Sequence, residues 1–413
     1  MAVTSASLPD KIDIAIIGAG PQALTLVTHL LQKRQKLRPR FLVFDPCGTW
    51  MSRWQEQFDA LEIPHLRSPA VHHPDPNPFA LRQFAQNRNN ELFPPYDLPG
   101  TKLFQEFCQD VIYQWELQDR VVRASVTCIE PVTDLGRPRF RVALQDGQSV
   151  IARRVVLATG AGKTITPDWV GKVPTLYPQE KLCHSQEVDL RNLQMKDERV
   201  LIVGGGLTSG HLAVGAIARG AKVMLMPRRQ LQEKIFDAEP GWLGPKYLKG
   251  FWAQPDWEKR WEMIQQARNG GSMTPAMMLQ LRRLERYGKL AFYEQCQVVE
   301  AQWQGSSWQV HCDDGQEYEC DRIWYATGTR FDVTANPLFT AIINAYPADI
   351  VKGLPVLDEH LRWPGCELFV MGGLAALQVG PVARNLYGAR MASERIVPTL
   401  TKSSVGLSQA RSA

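Results

Sequence analysis

The segment QDGQSVIARRVVLATG at residues 145–160 recurs as DDGQEYECDRIWYATG at residues 313–328. Asp146 falls on Asp314, Arg154 on Arg322 and Gly160 on Gly328, at a constant offset of 168 residues. Each copy follows a glycine-rich turn, GAGPQA at 18–23 and GGGLTS at 204–209, and these turns are offset by 186. The 18-residue difference is a surplus between the first turn and its Ala-Thr-Gly, and the proline-rich stretch after Asp45 has room for it. One Ala-Thr-Gly alone means little. Two copies, each closing a three-strand pattern downstream of a glycine turn, imply an α/β chain with two Rossmann-like units of related build.

The first unit begins with Ile12, Ile14 and Ile16 in a short, mostly apolar run that suits a buried parallel strand. Gly18, Gly20 and Ala23 then give the G-x-G-x-x-G/A spacing. Gly18 permits the tight turn, Gly20 lets a pyrophosphate approach bare backbone, and Ala23 lets the next helix lie close to the strand. Pro21 suits the first helical turn, where an N–H would have no partner, and Gln22 follows it. Leu24, Val27 and Leu31 form the apolar stripe of that helix. A second strand at 41–44 ends in Asp45, whose carboxylate can accept hydrogen bonds from an adenosine ribose. The bare N–H groups and the helix dipole make a site for dinucleotide phosphates. The bland alternative is a strand–turn–helix that binds nothing; the acid closing strand two weighs against it.

The second unit repeats this plan with one change. Residues 198–203 read as a strand, and Gly204, Gly206 and Ser209 give G-x-G-x-x-S, with Leu207 and Thr208 opening the helix. The following strand, 222–226, ends in Pro227-Arg228-Arg229 instead of an acid. An acid at this place accepts a ribose hydroxyl and repels phosphate, whereas arginine does the reverse. Asp45 therefore suits FAD or NAD, and Arg228 with Arg229 suits the 2′-phosphate of NADPH.

After Asp45 the prolines at 64, 69, 74, 76 and 78 forbid regular helix, which predicts an ordered loop wrapped over the first unit. A helix resumes over 100–115, followed by strands at 121–129, 140–144 and 155–158, with Asp146-Gly147 as a hairpin turn. Trp257, Trp261 and Ile264 lie at helical spacing, Asn269-Gly270-Gly271 breaks that helix, and Thr274-Pro275 starts another. This helical pair should pack on its own domain or on a second subunit. Near the C-terminus a strand at 368–371 precedes Gly372-Gly373, and a helix opened by Gly380-Pro381 should end near Pro398. The tail 401–413 is small and polar, and disorder is expected there. The implied boundaries are a first segment 1–170, an inserted unit 171–326 with extra helices at about 230–288, and a returning segment 327–400.

Eight cysteines, at 47, 108, 128, 183, 296, 312, 320 and 366, form no C-x-x-C, zinc spacing or short disulfide framework. Scattered reduced thiols point to the cytoplasm. A net charge of +5, not gathered into a run, gives no reason to invoke nucleic acid. No apolar run approaches the length of a membrane span, and the first ten residues lack the regions of a signal peptide. His65, His72 and His73 have no carboxylate or cysteine at ligand spacing, so no metal is expected.

With Gly48-Thr49-Trp50, His184-Ser185 and both Ala-Thr-Gly motifs, the chain resembles the flavin-dependent, NADPH-using monooxygenases. That group includes the microsomal-type enzymes and the lysine and ornithine N-hydroxylases. The loop LRSPAVHHPDPNPFALRQFA (66–85) is similar to the leucine-arginine-x-proline loop of the N-hydroxylases. Departures are Pro178 and Glu180 where that family has Phe and Gly, Thr329 where Tyr closes the second Ala-Thr-Gly, and FDAEPGWLGP (236–245) where Asn-Glu-x-Phe is expected.

The resemblance implies FAD in a discontinuous first domain, against Gly18, Gly20, Pro21, Gln22, Asp45, Trp50, Thr159, Gly160, Gly372 and Gly373. It implies NADPH in the inserted domain, against Gly204, Gly206, Leu207, Thr208, Ser209, Arg228, Arg229, Thr327 and Gly328. NADPH would reduce the flavin, O2 would give a C4a-hydroperoxide, and a small amine or thioether would take the oxygen. A homo-oligomer is compatible with this reading. No catalytic acid, base or triad stands out. An NADPH:acceptor reductase without oxygen insertion and a non-catalytic flavin-binding redox sensor stay open as alternatives.

Overall fold

The computed structural model describes residues 8–402 apart from 161, 175 and 269. The tail from 403 onward, Asn269 of the expected helix break and residues 1–7 of the N-terminal stretch lie outside the described residues.

A seven-stranded sheet is built from strands at both ends of the sequence. Its central strand, Ser149–Leu157, pairs in parallel with Lys11–Ile17 and with Leu368–Val370, and antiparallel with Arg137–Leu144. Outward from Lys11–Ile17 follow Phe41–Asp45 and Val121–Arg123, both parallel. Helix Pro21–Lys33 buries Ala23, Leu24, Val27, Leu30 and Leu31, and it packs against helix Leu386–Thr401. Each fully buried Leu or Val contributes about 1.5–3 kcal/mol. These two helices therefore join the sequence ends as firmly as the strands do.

A five-stranded, all-parallel sheet holds Leu182–His184, Arg322–Tyr325, Arg199–Val203, Lys222–Met226 and Leu290–Phe292 in that spatial order. Beside it stands an antiparallel sheet of Val298–Trp303, Trp308–Cys312 and Glu317–Cys320. The repeat is visible here. In the first copy the last strand of the hairpin runs unbroken into the parallel sheet, Ser149–Leu157. In the second it is broken at Asp321 into two strands. The duplicated arginines are equivalent in role: Arg154 bonds Glu367 and the carbonyls of Leu400 and Lys402, and Arg322 bonds Glu198 and the Glu180 carbonyl. Both are nearly inaccessible, so each is a buried cation made tolerable by a paired acid.

Just beyond the Ala-Thr-Gly motifs the chain passes twice between the two sheets. Lys163–Thr164 and Thr329–Arg330 pair antiparallel at that crossing.

Four local expectations differ from the structure. The stretch after Asp45 contains a helix, Ser52–Ala60, because it ends before the first of the five prolines. The C-terminal helix does not open at Pro381: Gly380, at φ +102°, ends a short helix, Ala376–Val379, and the long helix starts at Leu386. That helix runs through Pro398 to Thr401, with Pro398 on its exposed side. The helical pair expected on its own domain or on a second subunit instead divides between the two cores. Phe251 and Ile264, from helices Pro245–Ala253 and Trp257–Arg268, join the core of the first sheet, and Trp257 and Trp261 lie against it. Met277 and Leu281 of helix Pro275–Arg286 join the core of the second.

Candidate active site

Both glycine turns are held by the same contact. A Cβ on Gly18, at φ +99°, would meet the Ala158 carbonyl oxygen at 2.7 Å, and one on Gly204, at φ +146°, would meet that of Ala326 at 2.6 Å. Ala158 and Ala326 are the alanines of the duplicated Ala-Thr-Gly, so each motif forms the floor of its own turn. At Gly20, Gly160, Gly206 and Gly328, by contrast, an added Cβ would have no neighbour within 4 Å among the described residues. Those four positions leave backbone open to a ligand. Helices Pro21–Lys33 and Leu207–Ala218 both start from a glycine with no side-chain cap, so their first-turn N–H groups are free to meet phosphate.

At the first turn Asp45 accepts N–H bonds from Ala19 (3.0 Å) and Cys47 (2.9 Å). A carboxylate has about four acceptor positions, so capacity remains for ribose hydroxyls. Gln22 donates to the carbonyls of Ala383 and Asn385, both at 3.3 Å, and its buried Oε1 has no partner. Gly372, at φ +73°, lies beside Gln22, and Gly373 packs against Phe331. The Trp50 indole N–H is bonded to the Leu117 carbonyl at 2.9 Å in the core, so this residue can offer a cofactor only its ring face. A recess of about 360 Å³ lined by Pro46, Arg123 and Ser125 opens next to Asp45.

At the second turn Thr208 is exposed and Leu207 half-buried, while Ser209 is fully buried with its hydroxyl unpartnered. Thr327 donates its hydroxyl to the Ile165 carbonyl. Arg228 and Arg229 are exposed and have no hydrogen-bond or ion-pair partner among the described residues. The Arg229 Nη1 lies 3.1 Å from where a Gly270 Cβ would stand, and the Gly271 position is 3.5 Å from the Gly206 Cα. One guanidinium therefore borders the second turn. The open glycine turns, the Gln22 oxygen and the exposed arginines, which lack partners among the described residues, fit two dinucleotides, FAD and NADPH.

The two units are also joined by a charged cluster that the sequence did not announce. Arg67, from the loop 61–79, donates to the carbonyls of Lys234, Ile235 and Ser272, to Ser272 Oγ and to Asp237 Oδ1. Asp237 Oδ2 accepts from Arg268 at 3.0 Å, and Arg268 reaches on to the Pro381 carbonyl at 2.9 Å. Burial works against the Asp237 charge most strongly, but Arg268, Arg67 and Arg384 together outweigh it and hold its carboxyl below the usual range. Arg384 is accessible yet unpaired among the described residues, and the protein around it lowers its pKa to about 10.

The loop histidines do not gather into a ligand set. His65 stacks on Phe93, His72 bonds Ser68 and lies against Tyr387, and His73 turns to the Pro78 carbonyl. Burial, with help from His73 and Arg390, lowers the His72 pKa to about 4. His211 is lowered to about 4 as well, by burial and then by His65. Both imidazoles are neutral near pH 7. Sequence reasoning did not join Asp237, Ser272 and Arg384 because nothing in their spacing links them, although Arg67 lies in the 66–85 loop and Asp237 in the 236–245 segment.

A family model for FAD-NAD(P)-binding proteins matches residues 15–162. Curated proteins searched by sequence give no match. Among solved structures the chain is similar to an FAD-bound cadaverine monooxygenase of desferrioxamine biosynthesis from Erwinia amylovora. The identity is 15% and the TM-score 0.76, over 98% of this chain and 99% of that one. An ornithine N-hydroxylase from Kutzneria sp. 744, holding reduced FAD, NADP+ and L-ornithine, shares 17% identity at a TM-score of 0.76, over 94% and 99%. The reduced ornithine hydroxylase of Pseudomonas aeruginosa gives 15% and 0.76, over 94% and 98%. At these identities the structures establish the shared fold. The model of the L-lysine 6-monooxygenase/L-ornithine 5-monooxygenase family matches residues 99–331, more than half of the sequence, and the chain belongs to that family.

Proposed function

We propose that the protein is an FAD-dependent, NADPH-using monooxygenase that hydroxylates a small amine. The observation that supports this most is the family match over residues 99–331, together with two glycine turns whose backbone is open to a ligand. FAD would lie against Gly18, Gly20, Pro21, Gln22, Asp45, Thr159, Gly160 and Gly372, and NADPH against Gly204, Gly206, Thr208, Arg228 and Arg229. The bound flavin supplies the redox and oxygen chemistry; the polypeptide supplies position, charge and exclusion of water.

Around Asp237, the three guanidiniums of Arg67, Arg268 and Arg384 outnumber the one carboxylate. This excess of positive charge favours an amine that also carries a carboxylate over a plain diamine. Eight free cysteines accord with a cytoplasmic setting.

The test is oxygen uptake and NADPH oxidation followed with L-lysine, L-ornithine, cadaverine and a thioether. Hydroxylated amine matching the NADPH consumed is expected, with the amino acids ahead of cadaverine. Hydrogen peroxide as the sole product of every substrate would overturn the monooxygenase reading in favour of a reductase.

A further inference from the structure

In the second unit, the Sγ atoms of Cys296 and Cys312 stand 2.7 Å apart, and each cysteine is only 4% exposed. Non-bonded heavy atoms ordinarily keep about 3.5–4.0 Å between them. A disulfide brings its sulfurs to about 2.0 Å. Two thiolates on one zinc, each bonded at about 2.3 Å in a tetrahedral arrangement, stand roughly 3.7 Å apart. The pair is thus closer than thiols in contact and closer than ligands sharing a metal, although an Asp314 oxygen also lies within 4.8 Å.

The backbone holds the two sulfurs there. Gln297 and Asp313 bond to each other through Gln297 N–H to Asp313 Oδ1 (3.0 Å) and Asp313 N–H to the Gln297 carbonyl (2.9 Å). Cys296 and Cys312 flank that bonded pair on the same side. Met226 Sδ covers them at 4.0 and 3.9 Å.

We propose that Cys296 and Cys312 form a covalent modification site that hydrogen peroxide closes to an intramolecular disulfide. One sulfur attacks the peroxide, breaks the O–O bond and becomes a sulfenic acid, releasing water. The second sulfur then attacks the first, and the sulfenic oxygen leaves as a second water with the remaining thiol proton. Two electrons pass from the sulfurs to the peroxide, and two thiols with one peroxide yield one disulfide and two waters. Burial raises both thiol pKa values, which slows the first step, while the enforced contact speeds the second.

The site adjoins the second nucleotide turn. Gln295, next to Cys296, donates its N–H to the Pro227 carbonyl at 2.9 Å, and Met226 accepts the Gly204 N–H at 3.1 Å. Closure would fasten the segment that carries Arg228 and supports Gly204.

The experiment treats the full-length protein with hydrogen peroxide, then alkylates it in denaturant and maps its peptides by mass spectrometry. Cys296 and Cys312 should escape alkylation together, in a linked peptide that joins them and is lighter by two hydrogens. Exposed Cys47 should instead stop at an unlinked oxidised form. Cys296→Ser and Cys312→Ser should each abolish the linked peptide. Alkylation of both cysteines in oxidised wild-type protein would overturn the proposal. So would a zinc ion that native mass spectrometry finds bound to this pair and that a chelator removes.

Discussion

Arg67 Nη1 donates to Asp237 Oδ1 at 2.8 Å, joining a loop of the first unit to the strand-free segment that follows Arg229 in the second. The other Asp237 oxygen is bonded to Arg268, so one carboxylate separates two guanidiniums. Asp237→Ala should leave those cations facing each other. The expected loss is about 1–3 kcal/mol, below that of a fully buried pair because roughly a third of the Asp237 side chain meets solvent. Asp237→Asn keeps one acceptor and should lose less. Urea unfolding of the three proteins checks the order.

The same carboxylate sets a pH limit. Its folded pKa lies below the ordinary 3.8, so its contribution is complete above that value and disappears as pH falls through the lower folded one. Asp237→Asn should therefore unfold earlier than the parent at neutral pH, and the gap should close under strong acid. Acid titration followed by tryptophan fluorescence would show a constant gap if Asp237 carried no such linkage.

His72 and His211 act in a higher window. Both are lowered from 6.5 to about 4, so the unfolded chain takes up their protons first and stability falls as pH drops from 6.5 towards 4. Replacing either with glutamine should flatten stability against pH across that window while leaving the slope above pH 7 unchanged. Urea midpoints at half-unit pH steps test it.

The nucleotide turns were legible because glycine spacing is local, and the reasons for it lie within a few residues. Gly18 and Gly204 needed only their own turn and the strand beside it to declare themselves. The repeat was legible for the same cause: Arg154 and Arg322 occupy equal places in equal strands. The charged cluster was not. Arg67 and Asp237 are 170 positions apart, and no periodicity predicts a contact made by two loops. The start of the C-terminal helix was misread because Gly380-Pro381 looks like a helix opening, whereas Gly380 at φ +102° closes the preceding turn.

Gly18 and Gly20 separate folding from binding. Gly18→Ala places a methyl against the Ala158 carbonyl at a positive φ, so the variant should be less stable and poorly recovered. Gly20 sits at φ −82° with open space where a Cβ would point. Gly20→Val should fold yet fail to hold FAD, because its side chain takes the place of the pyrophosphate. Circular dichroism with flavin absorbance on the same sample decides it: a yellow Gly20→Val protein would remove this turn from the cofactor site.

We propose that coenzyme choice rests on Arg228 and Arg229, which follow strand Lys222–Met226 and Pro227, where an NAD-binding protein places an acid. Neither has a partner among the described residues, and Arg229 borders Gly270 at the rim of the second turn. A guanidinium can take two phosphate oxygens at once, and an exposed charge-assisted contact of this kind is worth about 1.5–3 kcal/mol. That corresponds to a preference for NADPH over NADH of about ten- to a hundredfold. Replacing both arginines by alanine should raise the KM for NADPH by that factor and leave NADH nearly unchanged. Arg229→Ala alone should account for much of the loss, since its guanidinium already lies beside the turn. Stopped-flow flavin reduction with each nucleotide measures this directly, and equal losses for NADPH and NADH would show that these arginines do not read the 2′-phosphate.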